Sequence, residues 1–270
     1  DVMAVYANLS SENMLKTFTV GITDDVTYLS LPKYEEDFDS TPEGNAAFKF
    51  WGLGSDGTVG ANKSAIKIIG DHTDYYAQAY FAYDSKKSGG LTISHLRMGP
   101  SPIKASYSVQ KADFIACHNQ AYVTKYDILK DIKKNGSFLL NCIWSPEELE
   151  AELPAKMKRQ LAKNNVKFYT LNAIDIAREI GLSGRINMIM QAAFFKISKI
   201  LPEADAIKYL KESVEKSYGK QGEDIVAMNI AAIDKGVSMI KQIDIPSSWL
   251  DAADEKEAEL EGPEYIKDIM

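Results

Sequence analysis

The stretch whose reading decides the fold is Lys49-Phe50-Trp51-Gly52-Leu53-Gly54-Ser55-Asp56-Gly57-Thr58-Val59-Gly60-Ala61-Asn62-Lys63. An apolar run of strand character enters a glycine-rich turn, and a stretch of helical character leaves it. Such a turn brings backbone N–H groups close to a ligand, and the helix start that follows favours an anion. Gly52, Gly54 and Gly57 satisfy the G-x-G-x-x-G spacing of dinucleotide-binding turns. Spacing alone is a weak signal in a chain with 17 glycines among 270 residues, and the strand-then-helix context is what gives it weight. A nucleoside-triphosphate loop is excluded. Gly52 and Gly57 have its gap, but Thr58 stands where lysine is required and Lys63-Ser64 comes too late. The bland alternative, glycines that merely permit a tight turn, stays open at this point.

Outward from this turn, short apolar strands alternate with helical stretches. Strands are expected at Lys49–Leu53, Ala77–Tyr83, Leu91–Leu96, Phe114–Cys117, Ser137–Asn141 and Val166–Leu171. Helices are expected at Val59–Gly70, Val123–Lys130, Pro146–Glu152, Ala155–Asn164, Ala173–Ile180, Ile186–Ile200, Glu203–Tyr218 and Glu223–Ile240. This alternation predicts an α/β fold of three layers, α/β/α, Rossmann-like, with a mostly parallel or mixed sheet. Ser145-Pro146-Glu147-Glu148 reads as a capping box with proline at the first helical position, and Pro154 and Pro202 mark two more helix starts. Gly89-Gly90 predicts a hairpin or sharp turn between two strands.

Before the turn, residues 1–31 carry a helical stretch at Val2–Leu9 and a strand-like one at Thr17–Ile22, too little to bury a core. An acid- and proline-rich stretch, Leu31 to Pro42, has the composition of a linker. The tail from Ile245 is acidic (Asp251, Asp254, Glu255, Glu257, Glu259, Glu261) and reads as a solvated linker or surface wrap. The chain opens at Asp1 part-way into helix-like sequence, which reads as a piece of a longer polypeptide.

Hydrophobic content of 45% and charged content of 26% describe an ordinary globular chain. A net charge of −7 argues against nucleic acid or an anionic membrane as the main partner. The only cysteines, Cys117 and Cys142, cannot supply the four thiolates of a structural zinc or an iron–sulfur cluster, and so thiol-poor a chain points to the cytoplasm. No membrane-length apolar run and no signal-peptide pattern is present.

The candidate chemistry gathers around the turn. Asp84 ends the second strand where a ribose-binding acid could sit, but Ser85-Lys86-Lys87-Ser88 brings positive charge to that strand end, which suits free phosphates better than a ribose diol. His118 adjoins Cys117, yet strand neighbours point to opposite faces and cannot form a nucleophile–base pair. His72, His95 and His118 read as polar or packing residues, and no Ser-His-Asp arrangement or carboxylate pair stands out. A second glycine-rich loop, Gly181 to Arg185, opens the helix that begins near Ile186. Asn187 in its first turn and Asn229 inside an otherwise apolar helix need partners, from helix packing or from a ligand.

Taken together, these segments resemble domain III, the gamma part, of pyruvate:ferredoxin (flavodoxin) oxidoreductase. The resemblance lies in Phe18–Thr27, Phe50–Lys63, Tyr83–Arg97, Ala112–Asn119, Phe138–Trp144, Gly184–Phe195 and Tyr218-Gly219-Lys220. It departs at Gln120, where proline is expected, and is loose beyond Ile243. The resemblance implies a homodimeric parent that oxidatively decarboxylates pyruvate on thiamine diphosphate and passes electrons through [4Fe–4S] clusters to ferredoxin or flavodoxin. It implies that this part holds coenzyme A, with contacts on Gly54, Ser55, Asp56, Gly57, Thr58, Lys86, Asn187 and Asn229 and no catalytic residue of its own. It further implies a division into the tail of a preceding domain (1–31), a linker (32–47), the coenzyme A-binding gamma domain (48–243) and a linker to the next domain (244–270). The competing readings are a self-contained NAD-type dehydrogenase domain using the glycine turn and Asp84, and an interdomain scaffold in which the turn serves packing.

Overall fold

A computed structural model of the chain describes residues 1–22, 26–32, 39–84 and 89–254. Lys86, the stretch Lys33–Phe38 and the acidic tail from Glu255 lie outside the described residues. The chain divides into two compact units, Asp1–Ser40 and Thr41–Met270.

The first unit contains helix α1 (Val2–Leu9). Its Asn8 carboxamide both donates to the Leu15 carbonyl and accepts from the Leu15 N–H, at 2.9 Å each, which closes the loop after the helix. The strand expected at Thr17–Ile22 is reduced to a single bridge between Thr19 and Ser30. A lone extended segment needs a partner ladder, and here the pairing ends after one bridge.

The second unit runs β1 (Ala46–Leu53), α2 (Thr58–His72), β2 (Tyr76–Tyr83), β3 (Leu91–Gly99), β4 (Ala112–Cys117), β5 (Ile132–Asn141), α3 (Pro146–Glu152), α4 (Ala155–Lys163), β6 (Lys167–Leu171), α5 (Ala173–Ile180), α6 (Asn187–Ser198), α7 (Glu203–Tyr218), α8 (Glu223–Ser238) and β7 (Lys241–Ile243). The strands form one seven-stranded sheet in the order β2-β3-β1-β4-β5-β6-β7. β1, β4, β5 and β6 are parallel, while β2, β3 and β7 join antiparallel, so the sheet is mixed. β2 and β3 form the hairpin expected around Gly89-Gly90. The capping box at α3 is complete: Ser145 Oγ accepts from Glu148 N–H, and Glu148 accepts from Ser145 N–H.

Alternation along the strands sorts side chains onto two cores. Phe48, Phe50, Leu96, Met98, Phe114, Ala116 and Leu139 face α2, α5, α6, α7 and α8. Phe194 of α6 seats its ring 5.1 Å from Phe48, 5.1 Å from Phe50 and 5.3 Å from Phe114, which pins α6 over the middle of the sheet. Ala47, Trp51, Ile115, Cys117, Phe138, Leu140 and Phe168 face the other way, toward α3, α4 and the segment 120–131.

Two elements of the second unit differ from expectation. In place of a helix at Val123–Lys130 there is one 3-10 turn, Gln120–Tyr122, followed by further turns. Val123, Ile128 and Leu129 are buried there as helix residues would be, but burial is achieved by looping over the second face. The last helix stops at Ser238, and Lys241–Ile243 becomes the edge strand β7. Three residues with exposed Lys241 and Gln242 suit an edge, and are too few to register as a strand period.

The second face also encloses an ion pair. Lys49 on β1 is 8% exposed and places Nζ 2.5 Å from Asp131 Oδ2. Removing one partner strands a charge in a nearly closed site. Lys49→Met is therefore expected to destabilise the chain by about 3 kcal/mol or more, and adding Asp131→Leu to recover most of the loss. Urea unfolding of the two variants against the parent sequence checks this, and equal instability of single and double variants would refute it.

Candidate functional site

The turn between β1 and α2 lies at the carboxyl edge of the parallel strands, the usual place for ligands in α/β sheets. Its closure comes from Asp56. The Leu53 N–H donates to Asp56 Oδ2 at 2.8 Å and the Thr58 N–H donates to Asp56 Oδ1 at 2.7 Å. Two residues pay with unusual backbone: Ser55 at φ +77° and Gly57 at φ +87°. For serine that conformation is strained by roughly 1 kcal/mol or more.

This closure changes which donors face a ligand. The N–H groups of Gly54, Asp56 and Thr58 are engaged internally, with the Gly90 carbonyl at 2.7 Å, the Leu53 carbonyl at 3.1 Å and Asp56 respectively. Among the described residues, the N–H groups of Ser55, Gly57, Val59 and Gly60 have no protein acceptor. Ser55, Gly57 and Gly60 are exposed. A helix start with free N–H groups and its positive dipole end is an anion site in waiting.

The other expected residues distribute as follows. Asn187, the first residue of α6, stands directly over Gly57: a Cβ built on Gly57 would lie 3.3 Å from both Cβ and Cγ of Asn187. The half-buried Asn187 carboxamide has no hydrogen-bond partner among the described residues. The β2–β3 hairpin is tied to the turn through the Gly54 N–H to Gly90 carbonyl bond, and Lys86 belongs to the stretch 85–88 of that connection, outside the described residues. Asn229 of α8 is 6% exposed, and its Nδ2 donates to the Ile225 carbonyl of its own helix at 2.8 Å. Among the described residues, no hydrogen bond joins Asn229 to the turn.

One residue at the site reads from sequence only as a polar or packing residue. His118 follows β4 and brings Nδ1 to 2.7 Å from Thr58 Oγ1. A pairing 60 residues apart in sequence leaves no local signal. Burial pushes the His118 imidazole down to about 4, with the Asp56 charge opposing, so it is neutral at pH 7. Cys117 points into the second core, and burial raises its thiol to about 12, which rules it out as a thiolate nucleophile. Among the described residues no group of three metal-ligating side chains occurs, and no helix is long and apolar enough to cross a membrane.

The topology also bears on the NAD-type reading. That reading needs the strand after the first helix to lie beside β1, so that its terminal acid reaches the ribose. Here β3 separates β2 from β1, which sets the β2 end about 10 Å away. Asp84 therefore cannot play the ribose acid, and the alternative loses its support.

A family model for pyruvate ferredoxin/flavodoxin oxidoreductase matches residues 47–239. The chain belongs to the pyruvate ferredoxin/flavodoxin oxidoreductase family. It is 53% identical over 269 residues to the pyruvate-flavodoxin oxidoreductase of Enterobacter agglomerans, and 55% identical over 270 residues to the pyruvate:ferredoxin oxidoreductase of Moorella thermoacetica. Each match covers 100% of this chain but only 23% of the relative, so the chain corresponds to a fragment of those oxidoreductases. In fold it is similar to a pyruvate oxidoreductase subunit from Thermotoga maritima (TM-score 0.61, 18% identity, 75% of this chain and 100% of that one). It is also similar to a 2-oxoglutarate:ferredoxin oxidoreductase from Magnetococcus marinus, solved with 2-oxoglutarate, coenzyme A and succinyl-CoA bound (TM-score 0.55, 18% identity, 79% of this chain and 32% of that one).

Two expectations follow from the geometry of the turn and its surroundings. Gly57→Ala forces a side chain into a left-handed conformation against Asn187, and is expected to cost about 1–2 kcal/mol in thermal or urea unfolding. Gly70→Ala, in open space within α2, should instead be neutral or stabilising. An unaltered midpoint for Gly57→Ala would refute the strained turn. Acid should also weaken the fold. His95 and His118 both sit at about 4 when folded against an ordinary 6.5, the first lowered by burial and then by Lys49 and Arg97. The unfolded chain thus binds protons that the folded chain refuses, and stability falls as pH drops from about 6.5 toward 4. Urea midpoints across that window test the slope, which His118→Gln should make shallower.

Proposed function

We propose that this chain is the coenzyme A-binding domain of a pyruvate:ferredoxin (flavodoxin) oxidoreductase. The observation that carries the reading is the meeting of two things at Gly57: four unclaimed N–H groups around the start of α2, and the unpartnered carboxamide of Asn187. Coenzyme A offers both complements, phosphate oxygens for the N–H groups and amide or adenine groups for the carboxamide. Support also comes from the 53–55% identity to pyruvate oxidoreductases and from the coenzyme A named with the Magnetococcus marinus enzyme of the same fold.

In this reading the phosphates sit on the outer side of the turn, against the N–H groups of Ser55, Gly57, Val59 and Gly60. The inner side is closed to them, because Asp56 already fills it with its own negative charge. Lys86, carried over from the family resemblance, pairs with a phosphate as a point charge. Asn229 contributes through its Oδ1, since its Nδ2 is engaged by Ile225. Gly54 and Thr58 shape the turn more than they donate to the ligand.

In the parent, thiamine diphosphate supplies decarboxylation of pyruvate to carbon dioxide and [4Fe–4S] clusters supply the electron path to ferredoxin or flavodoxin, both from other parts of the polypeptide. This chain binds and orients the coenzyme that leaves as acetyl-CoA. The division into 1–31, 32–47, 48–243 and 244–270, a cytoplasmic setting and a homodimeric parent belong to the same proposal.

Calorimetry with coenzyme A on the full-length parent is the test. Lys86→Ala should weaken binding about tenfold to a hundredfold, as befits a charge-assisted contact, and Asn187→Ala about three- to tenfold. Unchanged affinity in both would overturn the site.

A further inference from the structure

Thr58 and His118 form a buried pair that the ligand contacts above do not use. Thr58 opens α2 at 1% exposure, and His118 is 6% exposed just beyond the end of β4. Their side chains meet at 2.7 Å, Oγ1 to Nδ1. His118 is held on every side. Its N–H donates to the Trp51 carbonyl at 2.9 Å, and its carbonyl accepts from Asn141 Nδ2 at 2.9 Å. Asn141 Oδ1 in turn accepts from the Ala173 N–H at 2.9 Å, and the His118 ring stands edge-on to Phe50. Thr58 has no freedom either, because it packs where a Cβ on Gly52 would sit, 2.6 Å from Oγ1.

The ends of β1 and β5, with the start of α5 behind Asn141, therefore fix the His118 backbone, Phe50 flanks its ring, and that imidazole grips the first residue of α2. We propose that His118 is a positioning residue for the ligand site. By holding Thr58 Oγ1 it fixes the direction of the free N–H groups of Gly57, Val59 and Gly60, and so sets affinity for a diphosphate-bearing ligand without touching it. A neutral imidazole suits this role, since it adds no charge and offers one fixed hydrogen bond on Nδ1. The geometry makes Thr58 the handle and His118 the anchor. A hydroxyl at position 58 thus strengthens binding even though it is closed to the ligand.

This inference rests on the coenzyme A reading, and the experiment separates the two. Coenzyme A affinity is measured by calorimetry on the full-length parent carrying Thr58→Val, Thr58→Ser, His118→Leu and the double Thr58→Val/His118→Leu. Thr58→Val, nearly isosteric, is expected to weaken binding about three- to tenfold, as loss of one buried hydrogen bond would. Thr58→Ser should retain affinity because it keeps the hydroxyl. The double variant should be no weaker than the worse single one, since both remove the same bond. Equal effects of valine and serine, additive losses, or unchanged affinity with only a lowered melting temperature would each overturn the proposal. Asn187→Ala is the reference. If it weakens binding while Thr58→Val does not, the positioning role alone fails. If neither does, the ligand site is misplaced and the positioning role falls with it.

Discussion

The Asp56 carboxylate, accepting from Leu53 N–H and Thr58 N–H, is the constraint on which the site depends. It bends the chain from the end of β1 at Leu53 into the first turn of α2 at Thr58 through the four residues 54–57. It holds Ser55 and Gly57 at positive φ, and it stations a negative charge beside a helix start that would otherwise present all its N–H groups. A ligand at this turn meets a structure already closed, so little ordering entropy remains to oppose binding. It also meets fewer donors than a bare glycine loop would offer, because the Gly54, Asp56 and Thr58 N–H groups are already bonded.

What surrounds the turn decides between chemistries that share its glycines. Placing β3 between β1 and β2 removes the neighbouring strand end that a ribose acid would occupy, and ties the hairpin to the turn through the Gly90 carbonyl. The start of α6 fills the space above Gly57 with a carboxamide. The same strand–turn–helix start can thus serve different ligands, and the neighbours, more than the glycine spacing, carry the functional content.

Much of this was legible in the sequence where the signal is local. The strand–turn–helix around Gly52–Gly60, the Ser145 capping box, the helix starts after Pro154 and Pro202 and the Gly89-Gly90 hairpin each depend on residues a few positions apart. The turn and Asn187 also stand out in the sequence, and the family resemblance supplies the coenzyme A contacts expected at both. What escaped depends on distant pairing. His118 meets Thr58 across 60 residues, Lys49 meets Asp131 across 82, and β7 exists because β6 offers it an edge. The segment after Asn119 misled because its buried residues imitate helical spacing while the chain follows turns. The internal use of the Gly54, Asp56 and Thr58 N–H groups could not be foreseen either, since it follows from how the turn folds back on Leu53 and Asp56 and meets the Gly90 carbonyl.

The central claim is that the outer N–H groups of this turn receive the phosphates of coenzyme A. Hydrogen exchange of the backbone amides in the full-length parent, with and without saturating coenzyme A, tests it most directly. The account predicts strong protection on binding at Ser55, Gly57, Val59 and Gly60, with little change at Gly54, Asp56 and Thr58, which are already bonded. Protection confined to other segments, with residues 55–60 unchanged, would contradict it.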